Sequence, residues 1–326
     1  MTRFLLARLG TALATMAVLS AALFLATDAL PGDAAGAAAG ADATAEERAE
    51  LRERLGLDRP VVERYLAWLG ASLTGDLGRS AAAGRPVGEM LASRFGSSVL
   101  LVATAVVCIA VAATMLGMPA GLRSGRPVDR LVSSGTVTLL ALPEFLLATV
   151  LLAVFAHGAG LLPAVSLIPL GDSPWQHPQA LVLPVASLFL AGVGIATRLL
   201  RAAVATAAES PAVEQARLSG ERGLRLAWSY VLPAAAAPAV QGLAVTTAGL
   251  LGGSLVVETL FDYPGVGSEL ARAVAYRDTA VVQGFGLALA GTALLVLLLG
   301  DLVSGLLDVR SRSAAVTGGR GERRLR

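Results

Sequence analysis

Six stretches of this chain, residues 9–30, 97–120, 131–156, 179–200, 234–258 and 280–304, are apolar and long enough to cross a bilayer as helices. A hydrocarbon core of about 30 Å takes roughly 20 helical residues. In hydrocarbon every backbone N–H and C=O must find its partner within the segment, which makes these runs helices despite their valine content. The expected fold is therefore an all-α integral membrane protein with six transmembrane helices. Composition agrees, because 55% of the residues are hydrophobic and only 15% charged, which is far from the balance of a soluble chain.

The basic residues set the orientation. Arg3 and Arg8 precede the first stretch, Arg123, Arg126 and Arg130 lie between the second and third, and Arg201, Arg217, Arg222 and Arg225 lie between the fourth and fifth. Arg310, Arg312, Arg320, Arg323, Arg324 and Arg326 follow the sixth. The positive-inside rule puts these four segments, and so both termini, in the cytoplasm. Residues 157–178 carry no arginine and 259–279 carry only Arg272 and Arg277, as outer connections should.

All 26 basic residues are arginine. Without lysine the chain cannot build a lysine-bearing Walker A loop or a Schiff base, so any ATP is hydrolysed by a partner. The net charge of +2 is spread over loops and gives no nucleic-acid-binding stripe. His157 and His177 have no metal-ligand spacing to another His or Cys, and no nucleophile-and-base arrangement appears, so the expectation is no catalytic residue, no metal and no cofactor. Cys108 lies in an apolar run and packs as a small hydrophobe, and Trp175 suits an interfacial anchor.

The long connection of residues 31–96 belongs outside. Thr44-Ala45-Glu46-Glu47 reads as a capping box that opens a helix to Leu55, stopped by Gly56. A second helix from Pro60 places Val61, Tyr65, Trp68 and Leu69 on one face, and the segment is expected to lie over the outer mouth. Arg3, Arg8 and the small residues of 34–39 also fit a cleavable signal peptide, but the first apolar run is longer than a signal core.

The most informative stretch lies between the fourth and fifth spans. Glu209 to Ser219 suits a short helix with Pro211 in its first turn, Gly220 can take the left-handed conformation that ends it, and a second short helix runs up to Pro233. Glu214-Gln215-Ala216-Arg217-Leu218-Ser219-Gly220, followed by Val231-Leu232-Pro233, resembles the EAA motif of ABC-importer permeases. Gln215 departs from the usual alanine. Leu30-Pro31-Gly32-Asp33, Gly75-Asp76-Leu77-Gly78-Arg79-Ser80, Arg85-Pro86-Val87, the run from Val256 to Gly267, Arg277-Asp278 with Val281-Val282-Gln283-Gly284, and Asp308-Val309-Arg310 resemble one subfamily, the first permease subunit of dipeptide and oligopeptide importers. Glu144, where the family commonly has serine, and Val309, where it has proline, are departures.

The resemblance implies the type I ABC importer architecture. It divides the chain into a first helix at 1–30, an extracytoplasmic segment at 31–96, a permease core at 97–308 with a coupling loop at 201–233, and a basic tail at 309–326. It implies that Glu214, Gln215, Ala216, Gly220, Leu232 and Pro233 couple the chain to ATPases. The implied partners are a second homologous permease, two cytoplasmic ATP-binding subunits and an extracytoplasmic solute-binding protein. Dipeptides, longer peptides, glutathione and nickel chelates all remain open as substrates.

Glu144 lies within a span, where an ionisable group normally faces a cavity or a partner; with Pro143 it is expected to line the pathway, or else to be protonated or bonded to a neighbouring helix. Glu258 is expected at the exposed outer end of the fifth span, serving structure or the pathway. The turn from Asp262 to Gly267 is expected as a re-entrant or surface loop, and Gly249 and Gly253 as a packing pair against a second permease. A secondary transporter or channel explains the six spans equally well but gives no reason for the glycine-cornered loop.

Overall fold

The computed structural model describes residues 2–29, 44–54, 58–169, 172 and 174–307. Leu30 to Asp33, Leu55 with Gly56, Asp308 to Arg310 and the 309–326 tail lie outside these residues. Among the described residues the structure is helical, with a single antiparallel bridge between Arg79 and Pro86 as its only extended pairing. The helices are α1 (Thr2–Asp28), α2 (Ala45–Arg54), α3 (Val61–Leu73), α4 (Val87–Leu122), α5 (Pro127–Ala141), α6 (Glu144–Leu151), α7 (Pro178–Ala208), α8 (Pro211–Leu218), α9 (Gly223–Leu226), α10 (Leu232–Leu260), α11 (Val266–Ala275) and α12 (Thr279–Leu307). Five helical stretches can cross a membrane, and α5 with α6 makes a sixth if the bent pair is one span.

The span expected over 131–156 is broken at Pro143, where a helix bond is lost. The two halves lie 95° apart. Pro143 has no N–H and its ring bars the residue before it from the helical conformation; Leu142 accordingly takes φ −92 and ψ 126 and ends α5. The carbonyl deprived of a donor by Pro143, that of Leu139, accepts from the Leu142 amide at 3.2 Å, and the Pro143 carbonyl opens the next helix by accepting from the amides of Leu146 and Leu147 at 3.0 and 3.2 Å. α6 runs on through a widened π segment, Leu152–Gly158.

Two other helices exceed their expected limits. α4 begins at Val87 and runs 36 residues, well beyond the roughly 20 that span hydrocarbon. Gly223 to Leu260 forms one helical stretch, so the second helix of the polar loop does not stop at Pro233 but continues as the fifth span. A π segment over Ala227–Val231 precedes Pro233, and the Leu232 amide closes it on the Ala227 carbonyl. The wider turn falls where Pro233 can donate no hydrogen bond.

The chain divides into two compact units, one of Met1–Val102, Ala148–Pro184 and Leu251–Leu294, the other of Ala103–Leu147, Val185–Leu250 and Leu295–Arg326. In the first, Val87, Val266, Val281 and Phe285 are fully or nearly fully buried in one apolar cluster. Thr44 and Glu47 make the expected capping box, the Thr44 amide donating to Glu47 at 2.8 Å and the Glu47 amide to the Thr44 hydroxyl at 3.2 Å. Those bonds to Thr44 hold the Glu47 carboxyl below its usual range.

α3 docks on α1. Phe24 of α1 has the Tyr65 and Trp68 rings at 5.6 Å, Ser20 and Tyr65 share a hydrogen bond at 2.9 Å, and Arg64 pairs with Asp28. Val61, expected on the same face, stays exposed. Ser80 donates to the buried Asp278 carboxylate at 2.5 Å and the Ala82 amide adds a bond at 3.2 Å, tying the turn before α4 to the start of α12. Gln283 on α12 donates to Thr27 on α1 at 2.7 Å.

The second unit is fastened by Asp129 near the start of α5. Its carboxylate accepts from Arg201 Nε and Nη2 at 2.7 and 2.6 Å, from the Gly125 amide at 2.8 Å and from the Ser133 hydroxyl at 3.2 Å. A bidentate guanidinium clamp of this kind fixes both distance and angle between α5 and α7. Ser304 of α12 reaches α10, donating to the Ala237 carbonyl at 2.9 Å. A Cβ at Gly249 would meet nothing within 4 Å among the described residues, so that half of the expected packing pair is open.

Candidate functional site

The loop between α7 and α10 is a bent lever with a glycine corner. Pro211 occupies the first helical turn of α8 behind Ser210, where its missing N–H has no partner to lose. At the other end Gly220 takes φ +90. The Glu221 amide donates to the Ala216 carbonyl at 3.0 Å and the Gly220 amide to the Arg217 carbonyl at 3.0 Å. This 6→1 and 5→2 pair is the Schellman closure, whose left-handed corner strains any residue with a Cβ. The expected corner is thus present at the expected residue.

Burial divides the lever into an anchored side and a free side. Val213, Ala216, Leu226, Ala227 and Val231 are buried and hold α8 against the start of the α9–α10 stretch. Glu214, Gln215 and Arg217 face outward. Two large apolar side chains join them, Leu218 at 83% exposure and Leu224 at 78%. Leu232 is half-buried and Pro233 exposed, so the residues expected to act together fall on both sides: Ala216 on the anchor, Glu214, Gln215 and the Gly220 corner on the free surface. A rigid knob with an apolar tip suits docking against another protein.

The α10–α11 turn departs from expectation. Glu258 is wholly buried rather than exposed at the outer end of the span, and it offers no surface to a pathway. Its Oε2 accepts from the amides of Gly267 and Ser268 at 2.7 and 3.3 Å, the first turn of α11. The chain folds back over it: Phe261 and Tyr263 are fully buried, the Ser268 hydroxyl bonds the Tyr263 carbonyl at 2.8 Å, and the Val266 amide donates to Ser98 Oγ at 2.8 Å. The Tyr263 phenol, pushed well above its usual range by burial and by the Glu258 charge, stays protonated and donates to the Ser97 carbonyl at 2.9 Å. Of the two expectations, a re-entrant or a surface loop, the surface loop does not hold: the turn is a packed knot between α4, α10 and α11.

Glu144 opens α6 directly after the bend and is partly buried, while Pro143, Leu142 and Phe145 beside it are exposed. Apolar span length does not expose two further features. One is the Asp129–Arg201 clamp, between residues 72 apart in sequence. The other is Arg198, a charge inside α7 that the apolar span 179–200 encloses. A four-residue pattern would have found it: Ile195, Arg198, Leu199 and Ala202 share a helix face.

Residues 113–313 match the family described as binding-protein-dependent transport system inner membrane component, and residues 1–108 match the corresponding N-terminal component family. The glutathione transport system permease protein GsiC of Escherichia coli is 31% identical over 283 residues, covering 87% of this chain and 90% of that protein. The proteins of the same name from Salmonella paratyphi A and Shigella flexneri show the same identity and coverage. Among solved structures, an amino acid ABC transporter chain with histidines aligns at a TM-score of 0.48 and 16% identity, over 68% of this chain and 94% of that one.

The knot makes a stability prediction. A Cβ on Gly267 would stand 2.5 Å from the Leu255 Cα, a backbone atom that cannot step aside. Gly267→Val is expected to destabilise the purified protein by about 1–3 kcal/mol through overpacking, read as a lower thermal unfolding midpoint in detergent. An unchanged midpoint would show that the turn is not packed as described.

Proposed function

The chain belongs to the family of binding-protein-dependent transport system inner membrane components, and from that premise we propose that its 209–233 lever couples it to ATPases carried on other chains. It is a multi-pass inner-membrane permease of an ABC importer. A channel or secondary transporter, which the span count alone allowed, does not account for that family match. One such chain supplies half a pore, and its partners are a second homologous permease, two cytoplasmic ATP-binding subunits and an extracytoplasmic solute-binding protein. The arginine distribution favours cytoplasmic termini and puts the lever on the cytoplasmic side. In the same reading, 31–96 faces outward, 97–308 is the permease core and 309–326 is a basic cytoplasmic tail.

The observation that carries this reading is the lever's division into a buried anchor and an exposed apolar tip. Val213 and Ala216 fasten α8 to a stretch that continues unbroken into the fifth span, so a push on Leu218 or Leu224 moves that span rather than bending a loose loop. ATP binding closes the ATPases, displaces the lever and shifts the spans between two packings, and hydrolysis resets them. Glu214 and Gln215 stand on the docking surface, and Gly220, Leu232 and Pro233 set its angle to α10.

The solute is a short peptide. The resemblance to peptide-importer permeases supports that class, and the name of the relatives, glutathione permeases, favours a tripeptide-sized cargo within it. Pro143 and Glu144 line the path, the exposed residues at the bend presenting the carboxylate to a cationic group of the cargo.

Gly220→Val strains the left-handed corner by roughly 1–2 kcal/mol. In the reconstituted complex it is expected to leave ATP hydrolysis running while peptide uptake falls, and tight coupling retained in this variant would remove the lever. Glu144→Gln is expected to lower uptake of peptides rich in cationic groups more than that of neutral ones. Equal uptake and an unaltered preference would take Glu144 out of the path.

A further inference from the structure

A cavity of about 550 Å³ opens between α5 and α7. Val137 and Leu140 line it from α5, and Ile195 and Leu199 from α7. The spacing on α7, Ile195 with Arg198, Leu199 and Ala202, is that of one helix face, so the wall is built by a continuous face. Its size is within the range of small-solute sites.

Three polar side chains interrupt these apolar walls: Ser133, Arg198 and Arg201. Arg201 is neutralised, since it grips the Asp129 carboxylate with two hydrogen bonds of 2.7 and 2.6 Å. Ser133 donates to the same carboxylate at 3.2 Å. Arg198 is exposed to the cavity and makes no ion pair or hydrogen bond among the described residues. The cavity therefore carries one uncompensated positive charge on a helix that crosses the membrane. Arg198 stands in the last turn of the apolar span, where a guanidinium is tolerated because it reaches water or an anion. The guanidinium presents a planar fork of donors, which fits a carboxylate in a bidentate grip.

We propose that this cavity is a subsite for a free carboxylate of the solute in transit, gripped by Arg198, with Val137, Leu140, Ile195 and Leu199 receiving the apolar group next to it. The inference rests on the short-peptide importer reading and supplies what that reading lacks, a cationic counterpart to Glu144. An apolar residue at the carboxyl end of a peptide satisfies both halves of the cavity. Asp129 leaves Arg198 free because Arg201, one turn further along α7, takes its charge.

The test uses the whole complex in liposomes with Cys108→Ser and Val137→Cys, and measures thiol labelling by an anionic sulfonate and a cationic trimethylammonium methanethiosulfonate. With Arg198 present, the anionic-to-cationic rate ratio is expected to exceed that of Arg198→Gln by about tenfold, and Arg198→Lys is expected to restore it. Alanyl-leucine at millimolar concentration is expected to slow labelling when Arg198 is intact and not in Arg198→Gln. A thiol at position 137 that neither reagent reaches, a ratio indifferent to Arg198, or no protection by the dipeptide would each overturn the subsite. Labelling blocked in phosphatidylglycerol liposomes and restored in pure phosphatidylcholine would overturn it in favour of a lipid headgroup. ATP-driven uptake of the dipeptide by the complex with native Cys108 and Val137 reports separately on the importer reading, so the two can fail independently.

Discussion

Backbone hydrogen bonding in hydrocarbon governs this structure, because an amide or carbonyl that leaves the helix there has no water to receive it. Among the described residues, two breaks at prolines and one corner in the polar loop are each repaired locally. At Pro143 the freed carbonyl, that of Leu139, takes the amide of Leu142. Ahead of Pro233 the helix widens into a π segment. At Gly220 the Schellman closure satisfies the Ala216 and Arg217 carbonyls. The first bend gives a span two directions, the second lets a lever continue into a span, and the third gives the lever its corner. Function follows from where regularity is broken.

Carboxylates hold the remaining segments together. Asp129 is clamped by Arg201, Asp278 collects the turn before α4, and Glu258 caps α11. Asp129 and Asp278 gather donors from distant parts of the chain and Glu258 from the next helix, and a buried acceptor so occupied is much more expensive to abandon than an exposed one. The stretches that resemble peptide-importer permeases are largely these fastenings. Ser80 and Asp278 meet, and the run from Val256 to Gly267 closes on Glu258. A family can share such stretches for architecture alone.

Features decided within a few residues were legible in the sequence. Span positions follow from apolar length, the Thr44–Glu47 box from three-residue spacing, and the Gly220 corner from the one residue able to hold φ +90 comfortably. Features decided by packing at long range were not. Pro143 announced a missing donor, but not that the two halves would lie 95° apart. Glu258 stands at the end of an apolar run, which suggests exposure, and only the fold-back of Tyr263 and Gly267 buries it. In sequence Arg201 counts only as a topological signal, whereas its partner Asp129 is found once α5 and α7 are set side by side.

The proposed coupling is mechanical, with a separate ATPase pushing on the exposed tip of α8. A photoreactive amino acid at position 218, where the native leucine is 83% exposed, reads that contact directly in the assembled complex. A cross-link to an ATP-binding subunit that changes in yield when ATP is bound is expected. A cross-link to the solute-binding protein, or labelling of this position from outside intact cells, would contradict it.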